Sequence, residues 1–361
     1  MDRVDDARFM ERALELAENG RGCVAPNPLV GAVVVRNAIV VGEGWHARFG
    51  EAHAEVAALR QAGAAARGAT LYVTLEPCHH TGKTPPCTEA IAACGIARVV
   101  YAVADPNATA SGGAAALAAH GIDVLGGVCA DEGRELIAPF GFALRQRERP
   151  FVTLKLAISI DGAIVDASRQ RGWLTGPESR RAVHALRASA DAIAVGIGTV
   201  LADDPSLTVR EGQQVRTAPQ RVVFDRSARL PLSSALVRSA AAAPVVVIAD
   251  RPNRASAQLL EEAGVAVLSA ASLREALQSL RSRGVTHLVV EGGAALASAF
   301  MEAGFVDRLI TFQAPVLLGA GALSAFAALP AQKADVAPRL RVVARKTLGS
   351  DVMTIYAVSG E

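Results

Sequence analysis

Residues 53–87, HAEVAALRQAGAAARGATLYVTLEPCHHTGKTPPC, decide how the first half of the chain is organised. The spacing of the apolar residues predicts a helix over 53–66, and the apolar run over 69–75 predicts a buried strand. The helix opens with a histidine, and Cys78 and Cys87 follow the strand. One imidazole and two thiolates supply three ligands of tetrahedral zinc and leave the fourth position open to water, as in catalytic zinc sites.

A carboxylate stands next to these metal-capable side chains. Glu55 lies two residues after His53, where it can take a proton from water and return one to a leaving amine. The pattern therefore predicts a hydrolytic zinc site. Two alternatives stay open: a structural zinc site that His79 or His80 closes as fourth ligand, and a metal-free segment in which the acid is solvated and the cysteines are small core residues.

Strand-like and helix-like segments alternate along most of the 361 residues, which is typical of an α/β protein with two or three domains. Aromatic residues make up only 4%, so the core must consist mainly of smaller aliphatic side chains. The charged stretch RQRERP ends at Pro150 and precedes a new apolar strand. This stretch predicts a boundary between a first domain, 1–148, and a second, 149–361. Within the first domain, 30–41 is predicted to form a β-hairpin that breaks near Asn37.

Charge and composition restrict the partners. The 37 basic and 35 acidic residues leave a formal charge of +2, which lacks the broad positive surface of non-specific nucleic-acid binding. The first residues carry acids where a signal peptide has basic ones, and no apolar run is long enough to span a membrane. Five cysteines, an odd number, favour reduced thiols or metal ligands. We expect a cytoplasmic protein without nucleic-acid or membrane partners.

Three segments of the second half suggest a nucleotide site. They are LKLAISIDG over 154–162, the glycine turn GIGT over 196–199, and EGG over 291–293 before a predicted helix. A strand that runs through glycines into a helix N-terminus forms an anion site, because unpaired amide groups point outward there. Neither glycine turn matches the GxGxxG unit with an acid about 20 residues later. On spacing alone, glycines that only permit tight turns explain the pattern equally well.

The first-half motifs resemble those of known enzymes. His53-Ala54-Glu55 together with Pro77-Cys78 resembles the cytidine-deaminase-like zinc deaminases. Eight residues separate the two cysteines, and TLEP precedes them, which is similar to the deaminase half of the bifunctional pyrimidine deaminase/reductase family of riboflavin biosynthesis. VGEGWH over 41–46 and ADPN over 104–107 match as well. The resemblance implies a cytidine-deaminase-like α/β/α domain followed by a dihydrofolate-reductase-like α/β domain.

This resemblance implies roles for the zinc motif. It assigns one Zn²⁺ to His53, Cys78 and Cys87, and it makes Glu55 the proton carrier rather than a ligand. The chain departs from the family at His79, where a small serine is usual. The added imidazole can crowd a substrate phosphate, assist its binding or point away from it.

Four further residues are implied to contact the deaminase substrate. The resemblance places Asn27 and His46 beside the pyrimidine ring, and Lys83 and Asn107 beside the ribose phosphate. Each has a local alternative: Asn27 and Asn107 can be turn residues, His46 a strand-end histidine, and Lys83 a surface lysine.

The second half is similar to the reductase half of the same family, which implies NADPH as cofactor. The residues implied to lie along the cofactor are Ala157, Trp173, Thr199, Asp203 and, at the helix start, Gly293, Ala294, Ala295, Leu296, Ala297, Ser298 and Ala299. The residues implied to face the substrate are Arg187, Leu207, Arg210 and Glu291, with Lys155 polarising the group that accepts hydride. Alternatives are an exposed Arg187, a helix-capping Glu291 and a core Trp173. The loop at Arg171 departs from the family, so contacts there are open.

The resemblance as a whole implies two successive reactions. The first half would deaminate 2,5-diamino-6-ribosylamino-4(3H)-pyrimidinone 5′-phosphate by hydrolysis. The second half would reduce the ribosyl chain of 5-amino-6-(5-phosphoribosylamino)uracil to ribityl. Small phosphorylated pyrimidines are then the partners, and we expect a homo-oligomer. Two rivals are a nucleic-acid or nucleoside zinc deaminase with an appended nucleotide-binding domain, and a zinc-stabilised sensor without turnover. The few aromatic residues speak against base stacking by a nucleic-acid deaminase.

Overall fold

The computed structural model describes residues 3–82, 85–169, 172–330 and 333–358. The chain divides into two compact units. Unit 1 comprises Met1–Arg145 and Gln214–Thr217, and unit 2 comprises Gln146–Gln213 and Ala218–Glu361. The boundary that the sequence suggests after residue 148 stays a prediction. Among the described residues, no helix has both the length and the apolar character that a bilayer crossing requires.

Unit 1 contains a five-stranded sheet. Its strands are β1 (Gly31–Arg36), β2 (Ile39–Trp45), β3 (Thr70–Leu75), β4 (Arg98–Val103) and β5 (Asp123–Gly126). Its helices are α1 (Arg3–Ala17), α2 (Ala54–Ala62), α3 (Cys87–Ala93), α4 (Gly113–Ala119), α5 (Ala130–Leu136) and α6 (Ala138–Arg145), with 3-10 turns at Glu18–Gly20 and Gly63–Ala66. The strand order is β2-β1-β3-β4-β5. Strand β1 is antiparallel to both neighbours, whereas β3, β4 and β5 are parallel.

Helices cover both faces of this sheet. Met10 of α1 packs with Val33 and Val35 of β1, whereas Leu59 of α2 belongs to the cluster that contains Val34. Successive residues of a strand point to opposite faces, so β1 contributes to two cores at once. The predicted α/β/α layering of the first domain is confirmed.

Helix α2 lies unusually close to strand β2. A Cβ on Gly42 would lie 2.3 Å from the carbonyl oxygen of Ala58, and a Cβ on Gly44 would lie 2.4 Å from the Ala58 nitrogen. Only glycine permits this approach. The predicted hairpin end at Val41 is wrong, because β2 continues through both glycines to Trp45.

The other local predictions for this region are confirmed. The helix expected over 53–66 forms as α2 and the 3-10 turn after it, and the strand expected over 69–75 forms as β3. The hairpin breaks where expected, at Asn37 and Ala38, which both have positive φ. Positive φ at two successive residues is typical of a tight turn between antiparallel strands.

Unit 2 contains a nine-stranded sheet and a small two-stranded one. Its strands are β6 (Phe151–Ile158), β7 (Ala163–Val165), β8 (Ala192–Gly196), β9 (Gln220–Phe224), β10 (Val245–Ala249), β11 (Ala266–Ser269), β12 (His287–Glu291), β13 (Arg308–Gln313), β14 (Leu323–Ser324), β15 (Arg341–Leu348) and β16 (Asp351–Ala357). Its helices are α7 (Pro177–Ala188), α8 (Ile197–Asp203), α9 (Ala235–Arg238), α10 (Arg254–Glu262), α11 (Leu273–Ser282) and α12 (Ala294–Glu302). The large sheet has the order β11-β10-β9-β8-β12-β6-β13-β16-β15, and β7 pairs with β14.

The order of the large sheet creates a crevice. The seven strands from β11 to β13 in this order are parallel. Strand β16 is antiparallel to β13, and β15 is antiparallel to β16. The chain runs from β6 to β8 and outward to β11, and then returns to place β12 between β8 and β6. Ligands of open α/β sheets bind outside the carboxyl ends of the strands where the strand order reverses. The carboxyl ends of β6, β8 and β12 therefore form the expected site edge.

Replacing Gly31 by alanine should destabilise unit 1. A Cβ at this position would lie 2.0 Å from the carbonyl oxygen of Ala13 and 2.7 Å from the nitrogen of Ala17, both in α1. We expect the free energy of unfolding to fall by about 1–3 kcal/mol in a denaturant titration. Gly141→Ala in α6 is the matched control, since the nearest atom to its Cβ is 3.6 Å away. Equal stability of the two variants would contradict the close packing of α1.

Candidate functional site

Unit 1 contains a cavity of about 240 Å³ at the carboxyl ends of β3 and β4. The loop before β1, the end of β2 and the start of α2 complete its wall. Six residues to which the family resemblance gives a role in deamination line this cavity: Asn27, His46, His53, Glu55, Cys78 and Asn107. Lys83 lies outside the described residues. The structure thus brings most of the predicted deaminase residues to one place.

His53 and Cys78, which line the cavity, form a compact cluster with the buried Cys87. Their ligand atoms all lie within 4.8 Å of one another. The Nδ1 atom of His53 is 3.3 Å from the Sγ of Cys87 and 3.6 Å from that of Cys78. Tetrahedral zinc with ordinary bond lengths requires a nitrogen–sulfur separation of about 3.6 Å. The donor set therefore fits one zinc ion.

The neighbouring histidines do not join this cluster. His79 is exposed, and its Nδ1 lies 3.0 Å from the hydroxyl oxygen of Thr88. His80 lines the cavity without belonging to the ligand group. Within the described ranges the cluster has three members, which favours an open catalytic site over a closed structural one.

The thiols are prepared for metal binding. A hydrogen bond from the Cys87 thiol, aided by His53 and by the backbone N–H of Cys87, outweighs burial and lowers the pKa of Cys78 to about 4. Donation to Cys78, together with burial, raises the pKa of Cys87. The thiolate is the form that ligates metals, and a bound cation deprotonates a coordinating thiol outright.

Glu55 is buried beside this cluster. It lies in the first turn of α2 and is only 4% exposed, so it is not the solvated acid of the metal-free alternative. Burial raises the pKa of Glu55, although the nearby His53 opposes the shift. A carboxyl group whose pKa lies nearer to neutrality can both accept and return a proton.

Asn27 and His46 form a pair beside the cluster, and the ring centre of His46 lies 5.5 Å from that of His53. The Nδ1 of His46 lies 3.2 Å from the carbonyl oxygen of Ala52, so this nitrogen carries the proton. The Nε2 of His46 is therefore the acceptor for the Asn27 side-chain amide at 3.2 Å. Burial lowers the pKa of His46 and keeps the imidazole neutral. The pair fixes the orientation of the Asn27 amide.

Sequence reasoning missed the carboxylate that positions Asn107. Glu76 accepts hydrogen bonds from the backbone N–H groups of Asp105, at 3.2 Å, and Ala114, at 2.9 Å. Asp105 in turn accepts one from the N–H of Asn107 at 2.8 Å. Glu76 thus holds the loop after β4 beside the cavity. Its position immediately before Pro77-Cys78 was the only signal in the sequence.

A buried ionic cluster lies at the carboxyl end of β12 in unit 2. Arg187 contacts both carboxylate oxygens of Glu291, at 2.5 and 2.9 Å, and the Nζ of Lys155 is 3.6 Å from one of them. Burial opposes ionisation of Glu291, but Arg187 and Lys155 outweigh it and lower its pKa to about 2. Arg187 is mostly buried, and Gly293 caps α12 without a side-chain bond. The exposed-arginine and helix-cap alternatives are therefore wrong.

The loop after α8 is attached to α7 by two side chains. Arg187 donates to the carbonyl oxygen of Thr208 at 3.0 Å, and the Nδ1 of His184 accepts the backbone N–H of Arg210 at 3.1 Å. Burial lowers the pKa of His184, which keeps this nitrogen an acceptor. Leu207 lies in the same loop, buried and with positive φ. His184 was not identified from the sequence, since its partner is a backbone amide 26 residues away.

The glycine turns after β8 and β12 lie side by side. A Cβ on Gly293 would lie 3.0 Å from the hydroxyl oxygen of Thr199, and Gly292 and Gly293 both have positive φ. Ala157, near the end of β6, and Asp203, at the end of α8, lie on elements that reach the same edge. The structure therefore brings Thr199 against Gly293 and places Ala157 near the end of the strand beside β12, whereas Asp203 lies at the far end of α8.

Helix α12, which follows the second glycine turn, exposes only some of the residues that were predicted to lie along the cofactor. Ala294, Ala297 and Ser298 are buried, whereas Ala295 is exposed and Leu296 and Ala299 are half-buried. The Ser298 hydroxyl donates to the carbonyl oxygen of Ala294 at 2.8 Å. The buried members therefore pack the helix against its own unit.

Trp173 is 75% exposed, so the core-aromatic alternative is wrong. The guanidinium of Arg180 lies 5.1 Å from its ring centre. Arg171, where the chain departs from the family pattern, lies outside the described residues.

Comparisons with known proteins agree with this division. The family model described as "Cytidine and deoxycytidylate deaminase zinc-binding region" matches residues 3–103, and the one described as "RibD C-terminal domain" matches residues 150–354. Riboflavin biosynthesis protein RibD of Escherichia coli is 39% identical over 97% of this chain and 98% of its own length. The chain belongs to the RibD family. The RibD of Aquifex aeolicus is 45% identical over 89% of this chain and 90% of its own length.

Solved structures of RibD proteins share the whole fold. The RibD of Acinetobacter baumannii is 38% identical, with a TM-score of 0.81 over 99% of this chain and 100% of its own. A diaminohydroxyphosphoribosylaminopyrimidine deaminase/5-amino-6-(5-phosphoribosylamino)uracil reductase of Thermotoga maritima is 35% identical, with a TM-score of 0.81 over 99% of both chains. The two-domain α/β prediction is confirmed, with a zinc-binding deaminase domain and a RibD reductase domain.

Replacing Cys87 by serine should remove zinc. A serine hydroxyl is a poor substitute for a thiolate, which soft metals prefer. We expect about one zinc per chain in the wild-type protein and nearly none in C87S, measured by mass spectrometry of metals after desalting. Cys94→Ser is the matched control, because Cys94 ends the same helix outside the ligand cluster. Full zinc in C87S would refute the assigned ligand set.

Proposed function

We propose that the chain catalyses two successive steps of riboflavin biosynthesis. Its first domain, 1–148, deaminates 2,5-diamino-6-ribosylamino-4(3H)-pyrimidinone 5′-phosphate, and its second, 149–361, reduces the ribosyl chain of the product to ribityl. The observation that carries this proposal is the buried Glu55 beside a three-member ligand cluster in the cavity of a RibD-family chain. Family membership favours it over the nucleic-acid deaminase and over the zinc-stabilised sensor.

In the deaminase, zinc bound by the three ligands supplies a Lewis acid that lowers the pKa of a water molecule towards about 7. Glu55 accepts the proton that the attacking water loses and returns a proton to the departing amino nitrogen. A carbon–oxygen bond forms, the carbon–nitrogen bond breaks, and ammonia leaves. The pair of Asn27 and His46 orients the pyrimidine ring, while Asn107 and Lys83 contact the ribose phosphate.

In the reductase, NADPH supplies the hydride when it is bound. Lys155 polarises the sugar carbonyl or imine carbon that accepts hydride, and Glu291 holds the Lys155 ammonium in place. The bidentate pair with Glu291 fixes Arg187, whose remaining N–H groups and those of Arg210 are suited to the substrate phosphate. The two glycine turns and the start of α12 bind the cofactor.

Exposed arginines support NADPH rather than NADH. The loops after β9 and β10 meet where the N–H of Arg251 donates to the carbonyl oxygen of Arg226 at 2.9 Å. Arg229 is exposed on the first of these loops, and Arg254 is exposed at the start of α10, which follows the second. These loops follow the carboxyl ends of parallel strands, next to the glycine turn after β8. A cationic group of this kind is suited to the 2′-phosphate that distinguishes NADPH.

Cytoplasmic location and homo-oligomer formation stay predictions from the sequence and its family resemblance. Deamination and reduction do not require either for their chemistry. A direct test of the two activities is an assay that follows ammonia release and loss of nicotinamide absorbance separately. Absence of both from zinc-loaded protein supplied with NADPH would refute the proposed function.

Glu55→Gln should abolish ammonia release. Glutamine keeps the shape of the side chain but cannot carry the proton, so we expect the deamination rate to fall by about 10²–10⁴-fold. Zinc content should stay at the wild-type level, and reduction of the uracil substrate should continue. Glu51→Gln is the matched control, because Glu51 lines the same cavity but is exposed. Deamination at the wild-type rate in E55Q would rule out the proton transfer assigned to Glu55.

Substituting Arg226 and Arg251 together by alanine should weaken NADPH binding selectively. Loss of hydrogen bonds to a phosphate predicts a rise of about tenfold in the KM for NADPH. The KM for NADH, which lacks this phosphate, should change little. Arg283→Ala is the control, since Arg283 is exposed after α11, before β12 begins. An equal effect on both cofactors would contradict the 2′-phosphate assignment.

A further inference from the structure

A residue far along the sequence contacts the wall of the deaminase cavity. The segment Gln214–Thr217 belongs to unit 1, although it lies beyond the residues that the deaminase family model matches. The backbone N–H of Arg216 donates to the carbonyl oxygen of Gly22 at 2.9 Å, and its guanidinium donates to that of Ala25 at 2.8 Å. Arg216 therefore spans the turn formed by residues 22–25.

The same guanidinium contacts an aromatic side chain of the cavity. Its carbon lies 5.4 Å from the ring centre of Phe49, within the range of a cation–π interaction. Phe49 lines the cavity, and its backbone N–H donates to the carbonyl oxygen of Cys23 at 3.1 Å. Arg216 and Phe49 thus bind the same turn and each other.

This turn leads directly to a residue of the proposed substrate site. The backbone N–H of Asn27 donates to the carbonyl oxygen of Val24 at 2.9 Å, and the Asn27 side chain pairs with His46. The position of the turn therefore influences both Asn27 and Phe49. Arg216 therefore contacts one cavity residue, Phe49, directly and is connected to a second, Asn27, through the turn, without contacting the zinc ligands.

We propose that Arg216 is a positioning residue of the deaminase, which holds Phe49 and the turn before Asn27 where they contact the pyrimidine substrate. The deaminase then depends on a residue that follows the reductase loop containing Arg210 by only six positions in the sequence. This inference rests on the proposed deaminase function. It implies that the sequence needed for full deaminase activity extends past residue 148.

Arg216→Ala in the full-length, zinc-loaded protein tests the proposal. We expect the KM for the diaminopyrimidine phosphate to rise about three- to tenfold, with kcat within twofold of wild type and zinc content unchanged. Arg216→Lys keeps a cation near the ring and should recover part of the affinity. Arg60→Ala on α2 is the control, because Arg60 is exposed outside the cavity. An unchanged KM in R216A, or a loss confined to kcat, would overturn the proposal.

A double-mutant cycle separates positioning from general destabilisation. Phe49→Ala should also raise KM, and the two substitutions together should raise it by less than the product of their separate effects, since they share one contact. Independent, multiplicative effects would contradict the link between the two side chains. The thermal unfolding midpoint of each variant serves as the folding control.

Hydrogen exchange tests the same contact without substrate. In R216A the backbone amides of Phe49 and Asn27 should exchange faster than in wild type, because the turn that accepts their hydrogen bonds is released. In the Arg60→Ala control, the same two amides should exchange at the wild-type rate. If wild-type protein releases no ammonia, the proposed function is refuted. The exchange rates of the two amides still show whether Arg216 holds the turn in place. Unchanged exchange at both amides would refute its positioning role.

Discussion

The close approach of α2 to β2 is the constraint on which the deaminase site depends. Gly42 and Gly44 leave no room for a Cβ between the strand and the Ala58 backbone, so α2 lies at a distance fixed by backbone atoms. His53 immediately precedes this helix and Glu55 lies in its first turn. The position of α2 therefore sets both side chains relative to the cysteines after β3. A rigid backbone contact of this kind preserves the sub-ångström geometry that a metal site and a proton carrier require.

Two buried carboxylates have opposite electrostatic environments, which suits them to different tasks. Glu55 lies in a cavity where burial dominates and raises its pKa, so the group can exchange a proton. Glu291 is equally enclosed, but Arg187 and Lys155 lower its pKa to about 2 and keep it charged. Environments that separate pKa values in this way distinguish acid–base groups from fixed charges. In the proposed function the first carboxylate carries protons, and the second holds Arg187 and Lys155 in place at the sugar.

The sequence predicted features that depend on neighbouring residues and missed those that depend on distant ones. The helix over 53–66, the strand after it and the zinc motif follow from spacing within one segment. Glu76 and His184 were missed because each binds backbone amides between 26 and 38 residues away, which no local pattern indicates. The end of β2 was misplaced because glycines that permit helix packing look the same in sequence as glycines that form turns.

Both units place their candidate residues at the carboxyl ends of parallel strands, and this explains how different chemistries can act on related substrates. In unit 1 the loops after β3 and β4 carry Cys78 and Asn107, and in unit 2 the turn after β12 carries Glu291. Unpaired amide groups and helix N-termini gather at such edges and favour anions. The two proposed substrates share a phosphorylated sugar, so the same edge suits both. What differs is the side chains at that edge: sulfur and imidazole donors for hydrolysis, and an ordered ionic cluster for hydride acceptance.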